Sequence, residues 1–207
     1  MNIKLENVLP ADIEARSFEI ISSELKKELP EELAPIIKRV IHTTADFDYA
    51  ENLVFSEGCV ALAREAIKNG ACIVTDTNMA KAGINKRKLQ SFGGEVVCFI
   101  DDDRVRKAAE ENGTTRAVAA MELASQLDKP LIFALGNAPT ALIRLYELIN
   151  EGKIAPKLVI GVPVGFVNVV QSKELIIQCK VPYIVARGRK GGSNVAAAIV
   201  NALLYGI

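Results

Sequence analysis

The chain has no tryptophan, a single histidine and only 5% aromatic residues. An apolar mass of 50% with so few rings is made of Ala, Val, Ile and Leu, the residues of helix-covered parallel strands and not of an all-β sandwich. Excess charge is missing too: 25 Lys and Arg balance 25 Asp and Glu, whereas a general nucleic-acid binder shows a basic surplus, so no nucleic-acid partner is expected. No uncharged run approaches the roughly 20 residues that span a bilayer. The start, Met1-Asn2-Ile3-Lys4-Leu5-Glu6, lacks the basic and apolar regions of a signal peptide. Cys59, Cys72, Cys98 and Cys179 form no C-x-x-C pair, and Cys72 and Cys98 fall within apolar runs, as reduced structural thiols do. A cytoplasmic protein with no membrane contact is expected. With one histidine and no cysteine cluster, a His-rich or thiolate zinc site is excluded, and no G-x-S-x-G elbow is present.

What is there reads as one α/β domain over residues 1–207, without repeats or linkers. The N-terminal third is helical. One helix is expected from about Asp12 to Leu29. A second follows Pro30, which suits a first helical turn, with Leu33, Ile36, Ile37, Val40 and Ile41 on one face. Ser56 opens a third that Gly70 ends. Short apolar runs then appear at Cys72–Val74, Val96–Ile100, Leu131–Leu135, Leu158–Val162 and Tyr183–Ala186. Helical stretches alternate with them, clearest at Thr115–Leu127, Thr140–Asn150 and Ser193–Leu204. Strand–helix alternation of this kind predicts right-handed crossovers and a three-layer α/β/α fold around a mainly parallel five-stranded sheet.

The strand ends carry the chemistry. Thr75 follows the first strand, Gly136-Asn137-Ala138-Pro139-Thr140 the third, Gly161-Val162-Pro163-Val164-Gly165-Phe166 the fourth, and Arg187-Gly188-Arg189-Lys190-Gly191-Gly192-Ser193 the fifth. Open α/β sheets bind ligands at their carboxyl ends, where glycines admit a ligand to the backbone and helix N-termini offer free N–H groups. In the last loop three cations precede a double glycine and Ser193, a candidate N-cap. Lys190 precedes the glycines, so this is not a phosphate-binding P-loop, and the pattern points to an anion of unspecified kind. Arg116, after the cap Thr114-Thr115, opposes its helix dipole and is expected to be held by an anion. The run Asp101-Asp102-Asp103 reads as a solvated helix start and not as a magnesium site. His42 follows the apolar stripe of the second helix; Arg39 shares its face, as would Asp46 if the helix runs so far. A lone histidine of this kind is either a packed residue or an acid–base catalyst with an anion contact beside it.

Taken together, Arg16-Ser17-Phe18, Arg39-Val40-Ile41-His42, Gly136-Asn137-Ala138-Pro139-Thr140-Ala141-Leu142, Val162-Pro163-Val164-Gly165-Phe166-Val167 and Arg187–Ser193 resemble the precorrin-8X methylmutase family of cobalamin biosynthesis, its cobalt-precorrin branch included. The resemblance covers nearly the whole chain. It implies a cofactor-free methyl migration from C-11 to C-12 on a corrinoid substrate, with His42 as proton donor/acceptor and Ser17 and Arg39 at the substrate. It also implies a homodimer with the site near the subunit interface. The continuation His42-Thr43-Thr44-Ala45-Asp46 is similar to the cobalt-containing branch. Strand-end position adds Thr75, Arg116, Gly136, Asn137, Ala138, Thr140, Gly165, Arg187, Gly188, Gly191, Gly192 and Ser193 as candidate substrate contacts, with no metal ligand among them. Two rivals stay open on the residues alone: a transferase using Gly188–Ser193 as a phosphate cradle, and a non-catalytic tetrapyrrole carrier.

Overall fold

A computed structural model describes residues 3 and 5–207; Met1, Asn2 and Lys4, part of the stretch read for a leader, lie outside the described residues. The chain begins with α1 (Ile13–Glu24), α2 (Ala34–Thr44), α3 (Tyr49–Asn52), β1 (Leu53–Phe55) and α4 (Cys59–Lys68). It continues through β2 (Cys72–Thr75), α5 (Asn78–Gly83), α6 (Lys86–Gln90), β3 (Glu95–Cys98), α7 (Asp103–Glu111) and α8 (Arg116–Ala124). It ends with β4 (Leu131–Leu135), α9 (Pro139–Asn150), β5 (Leu158–Gly161), α10 (Val169–Ile177), β6 (Tyr183–Ala186) and α11 (Ser193–Tyr205).

The strands form one sheet in the order β1-β6-β5-β4-β2-β3, parallel except where β1 runs antiparallel to β6. Side-chain alternation sorts each central strand between two cores. Ile132 and Ala134 of β4 face the layer of α2, α4 and α11, while Leu131, Phe133 and Leu135 face the layer of α8, α9 and α10. Both faces are covered, which explains the continuous apolar runs. The three-layer architecture and all five expected strands are present, with the β3 run ending at Cys98 and not at Ile100. The sixth strand, β1, was missed. Three residues carry almost no periodic signal, and its partner β6 lies about 130 residues away (Leu53 pairs with Ala186).

The N-terminal third departs from expectation at its joints. α1 stops at Glu24 because Leu25 turns extended, so the helix does not reach Leu29. Pro30 belongs to a turn, and it is Pro35 that occupies the first turn of α2. Ser56 does not start α4: Gly58, at φ 65°, precedes the helix, and the Ser56 hydroxyl accepts from Tyr183 N at 2.9 Å. Gly70 does follow the end of α4 in the left-handed conformation, φ 75°. Among the described residues no helix is long and apolar enough to cross a membrane.

Candidate active site

The parallel strands bring the loops after β2, β4, β5 and β6 to one edge of the sheet, and there the polar groups largely satisfy one another. Asp76, directly after β2, is 2% exposed and accepts from the backbone N–H of Gly136 (3.0 Å), Asn137 (2.7 Å) and Ala138 (2.7 Å). Burial pushes its carboxyl above the usual range, and the three N–H groups oppose that push. The donors expected to face a ligand are therefore spent inside the protein. Thr75 is buried as well, its hydroxyl donating to the Thr77 carbonyl at 3.1 Å. It shapes the turn from within.

The glycines serve loop-to-loop packing more than ligand approach. A Cβ on Gly136 would lie 2.6 Å from the Gly192 carbonyl oxygen, and one on Gly191 only 2.1 Å from that of Val162. Gly192 and Gly165 adopt φ 141° and 143°, a region closed to other residues. Gly192, not Ser193, occupies the cap of α11; Ser193 is its first residue and its hydroxyl lies 2.7 Å from that of Thr77. Gly188, at φ 79°, has open space around it.

On the outer side of this edge, Met79, Val164, Phe166 and Val167 are exposed, the last two by about 80% (79% and 80%). Cations surround these apolar residues, yet most already have partners. Arg187 meets Glu174 at 3.3 Å, and Lys190 meets Asp46 and Asp48, each at 2.6 Å. The Lys190 ammonium holds the Asp46 carboxyl below its ordinary pKa. Arg189 lies over the Phe166 ring, 5.3 Å from its centre. Arg116 is paired with Asp101 at 3.6 Å, so the anion expected beside it is supplied by the chain itself. Thr115 caps α8 as expected and sits 3.2 Å from the Thr140 hydroxyl. In the acidic run, Asp102 accepts from Arg104 N and caps α7.

His42 belongs to a second cluster, on the outer face of α1 and α2. It lies exposed in the last turn of α2, its ring 5.5 Å from that of Phe18. The Arg39 guanidinium stacks on Phe18 (5.0 Å) and on Tyr205 (5.2 Å) and pairs with Glu14 at 2.6 Å. That hydrogen bond holds Glu14 below the ordinary carboxylate range, and the His42 charge adds to the effect. The adjacent hollow, about 310 Å³, is lined by Phe18, Pro35, Lys38, Arg39 and Tyr205. Ser17 donates to the Ile13 carbonyl at 2.8 Å. Asp46 does not share the face of His42: the helix ends at Thr44, Ala45 turns left-handed at φ 53°, and Asp46 is directed to Lys190. That ion pair links the end of α2 to the loop after β6. The structure thus gathers the strand-end candidates at one place and Ser17, Arg39 and His42 at another.

Sequence reasoning missed Asp76, Glu14 and Lys173. Nothing local marks Asp76, since its partners lie 60 residues on. Lys173 did leave a signal, standing with Val169, Ser172 and Ile176 in the buried stripe of α10.

A sequence profile of precorrin-8X methylmutases matches residues 12–206. The chain belongs to the precorrin-8X methylmutase family. It is 49% identical over 203 residues to the cobalt-precorrin-8 methylmutase of Salmonella typhimurium, covering 95% of each chain. To the precorrin-8X methylmutase of Pseudomonas aeruginosa it is 38% identical, covering 91% of each. The crystal structure of a precorrin-8X methylmutase from Thermus thermophilus superimposes with a TM-score of 0.85 at 40% identity, over 94% of this chain and 96% of that one. Membership makes the protein an isomerase of cobalamin biosynthesis that moves a methyl group within one molecule. The transferase and carrier readings give way to it.

Proposed function

We propose that the protein moves the ring C methyl of precorrin-8X or cobalt-precorrin-8 from C-11 to C-12, giving hydrogenobyrinate or cobyrinate. One carbon–carbon bond breaks at C-11 as another forms at C-12, so atoms are conserved and the protein need supply neither nucleophile nor cofactor. Its part is to bind the product-like π-system better than the starting one and to place a proton on the macrocycle. His42 is that proton donor/acceptor. The observation that carries this reading is the placement of the chain's single imidazole: exposed to solvent, beside the Phe18 ring and the Arg39 guanidinium, and not packed into a core.

The substrate is a broad apolar ring fringed with carboxylates. Exposed Met79, Val164, Phe166 and Val167 suit its face and Arg189 suits its rim, with Arg187 and Arg116 joining as they exchange Glu174 and Asp101 for substrate carboxylates. Within one chain the Asp46–Lys190 ion pair ties the end of the His42 helix to this edge. A homodimer with the site near the subunit interface, in the cytoplasm where its substrate is made, is the arrangement we favour. The cobalt-containing substrate is the better fit, because the His42-Thr43-Thr44-Ala45-Asp46 segment accompanies 49% identity to a cobalt-precorrin-8 methylmutase.

The test is His42→Ala. The variant is expected to bind a coloured corrinoid, seen as a shift in visible absorbance, and to give no rearranged product. Rearrangement at an undiminished rate would remove His42 from the mechanism. Gel filtration with light scattering checks the dimer: a monomer at assay concentration that turns over normally would dismiss the shared site.

A further inference from the structure

Lys173 sits in the middle of α10, 0% exposed, and its Nζ donates to the backbone carbonyls of Gly188 and Lys190, each at 2.8 Å. No carboxylate meets it among the described residues; the nearest acidic neighbour in sequence, Glu174, is engaged by Arg187. A buried ammonium without a counter-ion is costly, and burial pushes its pKa down to about 8. Methionine or leucine would fill that stripe of α10 without the cost. The fold keeps a lysine there.

Its effect follows from peptide geometry. In a planar trans peptide the C=O and the N–H point to opposite sides, and no cis bond occurs among the described residues. The carbonyls of Gly188 and Lys190 are drawn onto Nζ, so the N–H groups of Arg189 and Gly191, which share those peptide planes, face away from it. The carbonyl between them, that of Arg189, accepts from Gly165 N at 3.1 Å, docking the loop after β5 onto the same segment. Three successive carbonyls are thereby held by the protein. Among the described residues neither the Arg189 nor the Gly191 N–H meets an acceptor. The contrast with Gly136, Asn137 and Ala138 is sharp: their N–H groups are filled by Asp76, whereas these are left open.

We infer that Lys173 is a positioning residue for substrate binding, anchoring the Gly188 and Lys190 carbonyls so that the Arg189 and Gly191 N–H groups are presented to a carboxylate of the macrocycle. The buried ammonium also adds its positive charge beneath the place where that carboxylate rests. Arg189, stacked on Phe166, completes the contact from the side. The inference rests on the corrinoid reading of the site given above. It leaves the proton chemistry of His42 untouched.

The experiment compares rearrangement kinetics of the unaltered protein, Lys173→Met and Lys173→Arg. Lys173→Met keeps the length and removes the donors; KM is expected to rise about tenfold, the loss of hydrogen bonds from a charged group, with kcat within about threefold. Lys173→Arg retains donors for both carbonyls and is expected to recover part of the loss, which a purely space-filling role would not produce. A folded Lys173→Met with KM within about twofold of the unaltered protein overturns the inference while leaving the assigned reaction standing. If the variant fails to fold, amide hydrogen exchange on the unaltered protein decides. Added cobyrinate is expected to slow exchange in peptides spanning residues 187–192, and bound cobyrinate without protection there overturns the inference. An unaltered protein that neither binds nor rearranges a corrinoid overturns both the inference and the reading beneath it.

Discussion

The two halves of the candidate site are built on opposite plans. At the strand edge almost every polar group is answered from within: Asp76 by three N–H groups, Thr77 by Ser193, Lys173 by two carbonyls, Lys190 by two aspartates. On the α1–α2 face, His42 is exposed and its surroundings rest on ring stacking and the Arg39–Glu14 pair. Buried polar networks are rigid but costly to damage; exposed side chains are cheap to change and free to meet a ligand. Substitutions at the edge should therefore show first in stability, and those around His42 in activity alone.

The strongest test of that contrast is Asp76→Ala. It would strand one buried and two half-buried N–H groups at once and should cost about 3 kcal/mol in urea unfolding, with Asp76→Asn recovering part. An unchanged midpoint for Asp76→Ala would erase the distinction between the two regions. Next comes Gly191→Ala, whose new Cβ would press on the Val162 carbonyl. A loss of about 1–3 kcal/mol is expected, measured the same way.

Alkaline titration sharpens the comparison, because the buried groups of the sheet and its helices carry opposite signs. Burial raises the thiols of Cys59 and Cys72 from 9.0 to about 11. The unfolded thiols ionise first, so this contribution is complete below pH 9 and is lost as pH rises through 11, on the order of 2 kcal/mol each. Lys173 is depressed from 10.5 to about 8. Its folded form loses the proton first, so its penalty is present below pH 8 and is relieved as pH rises to 10.5. From pH 8 to 9 the unfolded thiols begin to ionise in both proteins, and the unaltered protein should gain stability relative to Lys173→Met. An equal change in the two proteins would assign it to another group.

At the other end of the scale, Glu14→Gln removes one ion pair whose carboxylate is exposed and whose guanidinium is mostly covered, and its effect on unfolding should stay below about 1 kcal/mol. His42→Ala should move stability by no more than about 0.5 kcal/mol while abolishing rearrangement. A large stability loss in His42→Ala would return that histidine to the packed role that a lone imidazole often has.

Much of the fold was legible because the runs at residues 72–74, 131–135, 158–162 and 183–186 are apolar on both faces, a demand that each strand meets locally. Helix boundaries were legible where a glycine or cap spoke for itself, as at Gly70 and Thr115. They were misread where two prolines competed, Pro30 against Pro35, and where Gly192 displaced Ser193 as the cap. The strings around Gly136 and Gly191 read as loops at strand ends whose glycines admit a ligand, and the structure does gather those loops at one edge of the sheet. Their glycines proved to answer neighbouring loops.

From the order of residues alone follow the layered α/β architecture, the cluster of loops at the strand ends and the family to which the chain belongs, because burial periodicity and contiguous motifs are local properties. Tertiary structure alone decided which donors stay open. Asp76 reaches across 60 residues to close one set of N–H groups, while Lys173 and the Gly165 N–H take the carbonyls of another segment and leave its N–H groups free. A hydrogen bond is settled by what folding brings within 3 Å, and no stretch of sequence carries that distance.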